Sequence, residues 1–179
     1  RGSYENIVQI NDFDMSRKMS VLSENAQWFE DNSSLMEEHK KDSVVGVTYK
    51  TVNVAGESGD ASPSTPIPDD AMCSGTYLGW DGTTSDIWFA FTPSQTGDYH
   101  ITTCDLESFD TSLVLYQGLC DSLTQIACNG DADDTKTSCQ SFYSAINYTL
   151  NYGQQYFVRV GGFGSEVGDG TLTIQLASG

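Results

Sequence analysis

Beyond residue 43, apolar and polar residues follow one another in short runs with the period of a β-strand. Residues 44–54, VVGVTYKTVNV, alternate for much of their length. The stretch 56–70 is rich in Ser, Pro, Gly and Asp and reads as a loop. Asp86-Ile87-Trp88-Phe89-Ala90-Phe91-Thr92 is the next strand, with Trp88 as a core residue, and Gly97 to Cys104 the one after it. The turn Pro93-Ser94-Gln95-Thr96 predicts that these two form a hairpin. Further strands are expected over 111–116, 125–128, 141–150, 155–161 and 170–176. The glycine-rich stretch 161–170 falls between two strand patterns and reads as a hairpin loop, since a dinucleotide-binding loop has to open a helix. Short strands with regularly spaced turn signals indicate an all-β sandwich or barrel. About eight strands in two layers fit the length.

Residues 1–42 have a different texture and read as a separate extension ahead of a domain over 43–179. Met15, Leu22, Phe29 and Met36 recur every seven residues, with Val21, Trp28 and Leu35 one step earlier. Together they form one apolar stripe on a helix. The positions three residues after the first series are Lys18, Asn25, Asn32 and His39, which is not a coiled-coil seam. Two readings stay open. The stripe, with Leu22, Trp28, Phe29 and Met36 as contact residues, packs on its own sandwich, or it docks to another subunit or domain. Ahead of it, residues 4–10 form a candidate short strand.

Charge narrows the partners. The chain of 179 residues carries 8 basic and 25 acidic residues, a formal net charge of −17. Phosphate binding needs a basic face, so nucleic acid is not expected as a partner, and neither is an anionic membrane surface. No apolar run approaches the ~18 residues of a membrane span. Five cysteines, Cys73, Cys104, Cys120, Cys128 and Cys139, are spaced 31, 16, 8 and 11 apart and contain no CxxC pair. That pattern points to cystine and an oxidising compartment rather than to a zinc site, with one thiol left over.

Several segments, in order, carry a resemblance. They are Asp86-Ile87-Trp88-Phe89-Ala90-Phe91-Thr92-Pro93, Gly97-Asp98-Tyr99, Thr102-Thr103-Cys104, Phe109-Asp110-Thr111, Leu115-Tyr116-Gln117-Gly118, Ala127-Cys128-Asn129-Gly130-Asp131 and Tyr156-Phe157-Val158-Arg159-Val160-Gly161-Gly162-Phe163. Over roughly residues 44–177 the chain resembles the bacterial pre-peptidase C-terminal domain family and its cysteine-bearing relatives. The resemblance implies a jelly-roll-like β-sandwich that serves as an accessory module of secreted bacterial proteins, at the cell surface or outside the cell. Some relatives bind calcium and protein fibres.

The stretch ACNGDADDTKTSC, residues 127–139, then falls between two strands at one end of the sandwich. Asp131, Asp133 and Asp134, with the Asn129 side chain and with Asp110 from a neighbouring strand end, are candidate calcium ligands. An acidic solvated turn is the alternative. Cys120 and Cys128, eight apart on hairpin arms, are expected to pair, and Cys104 with Cys139, leaving Cys73 over; Cys73–Cys104 is a rival bond. No GxSxG elbow and no HExxH pair occurs, and neither His39 nor His100 stands in a catalytic pattern. Tyr77 and Trp80, in the loop 75–82, are candidate stacking platforms for a sugar. The expected function is that of a non-catalytic extracellular binding or adhesion module, with calcium as a candidate support. Its partner is a polysaccharide or protein. The alternative is a structural subunit of a surface fibre, which docks to other copies of itself through residues 1–42.

Overall fold

The computed structural model describes residues 7–10, 44–50, 67–73, 76–80, 84–106, 109–119, 122–132, 138–164 and 166–177. The helical stripe with Leu22, Trp28, Phe29 and Met36 lies outside these residues, as do Cys120, Asp133 and Asp134. Nine strands are described: β1 (Ile7–Ile10), β2 (Val44–Lys50), β3 (Asp86–Phe91), β4 (Gly97–Thr102), β5 (Thr111–Leu119), β6 (Ser122–Asn129), β7 (Ala145–Leu150), β8 (Tyr156–Gly162) and β9 (Asp169–Leu176). They form two antiparallel sheets, one in the order β1-β3-β8-β5-β6 and the other β2-β9-β4-β7. The all-β sandwich expected from the alternating runs is present.

Both hairpins expected at turns are corrected. β3 pairs with β1 and β8 while β4 pairs with β7 and β9, so the turn at 93–96 carries the chain from one sheet to the other. The glycine-rich segment after β8 likewise leads to β9 in the opposite sheet. Turn residues specify that the chain reverses, and they leave open the sheet on which it lands. The short hairpin is β5–β6, closed where Leu119 faces Ser122 and irregular between Leu115 and Tyr116.

The core lies between the sheets. Ile87, Phe89 and Phe91 of β3, Leu113 and Leu115 of β5, and Tyr156, Val158 and Val160 of β8 point inward at alternate positions. They meet Tyr99, Ile101, Ile146, Leu150, Leu172 and Ile174 of the facing sheet. The intervening residues of the five-stranded sheet are also buried. Trp88, Ala90, Val114, Tyr116, Cys128 and Phe157 form a second apolar cluster on its outer face, beneath Cys73, Leu78 and Trp80. This double burial explains why all six residues of β3 are buried.

The cover over that outer face is a strap, residues 67–73 and 76–80, and its fastening is largely polar. Gln125 of β6 grips the backbone of Asp69 from both sides, its Nε2 donating to the carbonyl at 3.0 Å and its Oε1 accepting from the N–H at 2.9 Å. A short 3-10 turn at Asp70–Cys73 follows, and a disulfide joins Cys73 to Cys128 of β6. Asp70 Oδ1 accepts from the Leu78 N–H at 3.2 Å, and the Gly130 N–H donates to Thr76 Oγ1 at 2.9 Å. The Trp80 indole N–H donates to the Gly162 carbonyl at 2.8 Å. Two glycines make room for the strap. A Cβ on Gly130 would stand 2.3 Å from the Tyr77 carbonyl oxygen, and one on Gly161 2.5 Å from the Trp80 ring.

The expected pair Cys120–Cys128 is therefore corrected to Cys73–Cys128, while Cys104–Cys139 forms as expected. The reason is register. The β5–β6 turn lies at Leu119 and Ser122, and Cys128 stands six residues up β6 from Ser122, opposite Val114. At ~3.3 Å per residue that is roughly 20 Å along the strand from Ser122, so Cys128 stands far from the closed end of the hairpin and beside the strap instead.

Candidate functional site

Strand directions gather the longer connections at one end. In register, Thr102 faces Ala145, Thr111 faces Gly162, and Asp86 faces Gly161. Residues 76–80 and 84–85 and the described parts of the segments β4–β5, β6–β7 and β8–β9 therefore emerge together. A buried hydroxyl cluster seals the sheets beneath them: Thr103 Oγ1 lies 2.6 Å from Thr111 Oγ1, and Ser144 Oγ reaches the Thr111 carbonyl at 2.6 Å.

The loops above are held from several directions. Cys104–Cys139 ties the β4–β5 loop to the β6–β7 loop. Beside it Gln140 acts as a spacer. Its N–H donates to the Asp105 carbonyl and its Oε1 accepts from the Asp105 N–H, both at 2.7 Å, while Nε2 donates to the Thr103 carbonyl at 3.0 Å. The Ala132 N–H donates to the Tyr143 carbonyl at 2.7 Å, and the Phe163 N–H to the Asp110 carbonyl at 3.1 Å.

Aromatic side chains stand out of this framework. Tyr77 is 67% exposed, Phe142 53% and Phe163 47%. Phe142 has a φ of 60°, a left-handed conformation that costs a bulky residue free energy and is kept only where the surroundings impose it. The Phe163 ring sits against Gly79 of the strap, two residues from Tyr77. The platform expected at Trp80 is corrected: Trp80 is only 6% exposed, with its indole N–H committed to Gly162. Its ring covers the Arg159 guanidinium at 4.7 Å, with Trp88 at 5.3 Å. Arg159 Nε donates to Asp86 Oδ2 at 2.6 Å and Nη1 to the Tyr116 hydroxyl at 3.2 Å, so this buried guanidinium is paired, bonded and roofed. Burial pushes the Tyr116 phenol up, against the lowering effect of Arg159.

Carboxylates share the same end. Asp110 is raised from 3.8 to about 6, first by burial, then by the charges of Asp131 and Glu166. Two further loops thus bring one acid each into electrostatic range of Asp110. Asn129, the expected calcium ligand, holds its own loop through two hydrogen bonds. Its Nδ2 donates to the Asp131 carbonyl at 3.1 Å and its Oδ1 accepts from the Ala145 N–H at 2.8 Å, so its side chain shapes the loop. Among the described residues no group of three His, Cys, Asp or Glu side chains is close enough to hold a metal ion. Glu166, Phe142 and Phe163 were not singled out from the sequence. Phe163, an aromatic residue between Gly162 and Gly164, carried the one usable signal, since glycines on both sides leave a ring little local cover.

No family model matches the chain, and no curated protein does. Solved structures with a related arrangement include a ruminal GH26 endo-beta-1,4-mannanase, at 11% identity and a TM-score of 0.29 over 74% of this chain and 26% of that one. A beta-glucosidase from Kluyveromyces marxianus in complex with glucose matches at 16% identity and a TM-score of 0.28, over 75% of this chain and 16% of that one. Eiger TNF from S. frugiperda matches at 15% and 0.28, over 75% of this chain and 85% of that one. The chain spans about a quarter or less of the two glycosidases' lengths. At these TM-scores the likenesses carry no argument, and function rests on the residues themselves.

Proposed function

We propose that the chain is a secreted, non-catalytic binding module of the pre-peptidase C-terminal type, and that it holds an extracellular polysaccharide or protein on the loop-bearing end of its sandwich. The observation that carries this reading is the combination at that end of exposed Tyr77, Phe142 and Phe163 with the carboxylates Asp110, Asp131 and Glu166. Rings present flat apolar surface, carboxylates accept hydrogen bonds, and the two together suit hydroxyl-rich sugar rings best. Loops tied by a disulfide and by Gln140 lose little entropy on binding, which favours affinity without a large interface. Two disulfides suit an oxidising compartment. No helix among the described residues is long and apolar enough to cross a membrane.

The strand order supports the family reading. With β1 set aside, β2-β9-β4-β7 over β3-β8-β5-β6 is the order of a jelly roll built from two Greek keys. Calcium belongs to the same reading in a supporting part. A carboxyl crowded by two others is relieved by a divalent cation, and Asp110 and Asp131 would offer oxygen ligands to one.

Retention on a panel of insoluble polysaccharides and immobilised extracellular proteins tests the proposal. We expect one class to retain the chain, and Tyr77→Ala or Phe163→Ala to reduce retention at least tenfold without moving the melting temperature. Retention unaltered by either substitution excludes this end as the binding face.

A further inference from the structure

The sandwich divides into eight strands, four on four, and a ninth. β1 is the fifth strand of its sheet, sits at the edge, and is paired with β3 alone among the described strands. Its register runs from Ile7 opposite Phe91 to Ile10 opposite Trp88. β2 joins the other sheet through β9. Between β1 and β2 lie residues 11–43, thirty-three in all.

The edge that β1 covers is unusually dependent on being covered. Trp88, Phe89, Ala90 and Phe91 carry no lysine, no proline and no register irregularity, the devices by which sheet edges discourage added strands. Phe89 and Phe91 belong to the inner core, Trp88 and Ala90 to the outer cluster, and all four are buried. Asp86, the charged residue of β3, lies beyond the span of β1 and is engaged by Arg159. Once β1 leaves, the backbone groups of this edge would accept any extended segment in the right register, and four residues of strand are enough to take them.

We propose that β1 is exchangeable between copies: the N-terminal strand of one molecule adds to β3 of a second, in the register it has with its own. The contacts of β1 with β3 are the same in either arrangement, so they cancel in the comparison. What remains is the effective concentration of the tethered strand at its own edge. Flexible linkers give effective concentrations on the order of millimolar or below, which sets the protein concentrations worth comparing. Copies crowded to that density exchange strands, and dilute copies do not. Fully extended, thirty-three residues span at most about 110 Å, enough to reach a neighbouring molecule. Mutual exchange gives a closed pair, and one-way exchange an open row.

The test uses the full chain with a photo-crosslinking phenylalanine analogue in place of Gln9, the β1 residue opposite Phe89. Equal amounts of light and isotopically heavy protein are co-incubated warm, dilute and at millimolar concentration, then irradiated and read by mass spectrometry. We expect β1–β3 crosslinks that join a light strand to a heavy one, approaching half of all crosslinks in the concentrated sample and falling away in the dilute one. Alternate residues of β1 turn their N–H groups toward β3, so of Ile7→Pro and Val8→Pro one removes a ladder hydrogen bond and the other does not. The substitution that removes the bond should lower same-isotope and mixed crosslinks alike, and the other should spare both. Crosslinks confined to one isotope at every concentration overturn the proposal, and so does association without mixed β1–β3 crosslinks.

Discussion

Asp110 is the residue at which burial and neighbouring charge act together. Its carboxyl holds its proton more tightly in the folded chain than in the unfolded one, from an ordinary 3.8 to about 6. The stabilising contribution is therefore complete below the unfolded value and is lost as pH rises through about 6. Above that the ionised group lies among Asp131 and Glu166 and opposes the fold. Asp110→Asn removes the titration. The melting temperature of the variant, relative to the parent, is expected to climb as pH rises between those two values and to stay higher at neutrality. A difference independent of pH would show that Asp110 feels no crowding. Arg159 presents the opposite case, a buried charge made tolerable by its partners. Asp86, the Tyr116 hydroxyl and two indole rings replace the water it gives up, so no neighbour of the guanidinium is dispensable.

Among the elements, the strap decides how the five-stranded sheet can be buried on both faces. Cys73–Cys128 closes a separation of 55 residues and Cys104–Cys139 one of 35, and in chain-entropy terms each contributes about 4 kcal/mol. The two differ in what they hold. Replacing Cys73 and Cys128 by Ser frees the cover over Trp88 and Tyr116, so a red-shifted tryptophan emission in the native state is expected along with the lost stability. Replacing Cys104 and Cys139 by Ser should lower stability comparably and leave the emission where it was. Equal spectra for both variants would show that the strap stays seated on Gln125, Asp70 and Trp80 alone. This element also marks where the sequence stops being legible. Strand positions could be read because period-two runs and turn residues are local, and β4, β5, β8 and β9 stand within a few residues of the expected spans. Sheet membership could not, because a turn such as 93–96 looks the same whether its strands pair or part. The partner of Cys128 could not be read from spacing either, because it depends on which outer face the 67–80 segment covers. The unbroken apolar run Ile87-Trp88-Phe89-Ala90-Phe91 was the sign that some cover existed. For the site, Tyr77 was visible as a loop aromatic, whereas Trp80, in the same loop, was drawn inward by Arg159, a residue 79 positions away.

At the scale of the whole molecule, the two ends of the sandwich differ in how they are built. Among the described residues, one end carries the short connections, the hairpin at Leu119–Ser122 and the turns at 92–96 and 151–155. The other carries the long loops, the tie Cys104–Cys139 and the crowded acids. Over both lies a net charge of −17, which keeps molecules apart in solution and opposes the compact state by self-repulsion. The two electrostatic effects can be separated by how they respond to salt. Self-repulsion is spread over the surface and is screened by ionic strength alone, so sodium chloride should raise the melting temperature smoothly until the Debye length falls to about 3 Å near 1 M. A cation held among the acids of the long loops acts by mass action instead, and stabilises in proportion to the logarithm of its concentration above its dissociation constant. Calcium chloride should therefore raise the melting temperature further than sodium chloride at matched ionic strength. The excess should disappear in Asp110→Asn combined with Asp131→Asn, while the sodium response remains. Superimposable calcium and sodium curves at matched ionic strength would mean that the acids of this end act only through their summed charge, and that the binding face works by its rings and hydrogen-bond acceptors without a cation.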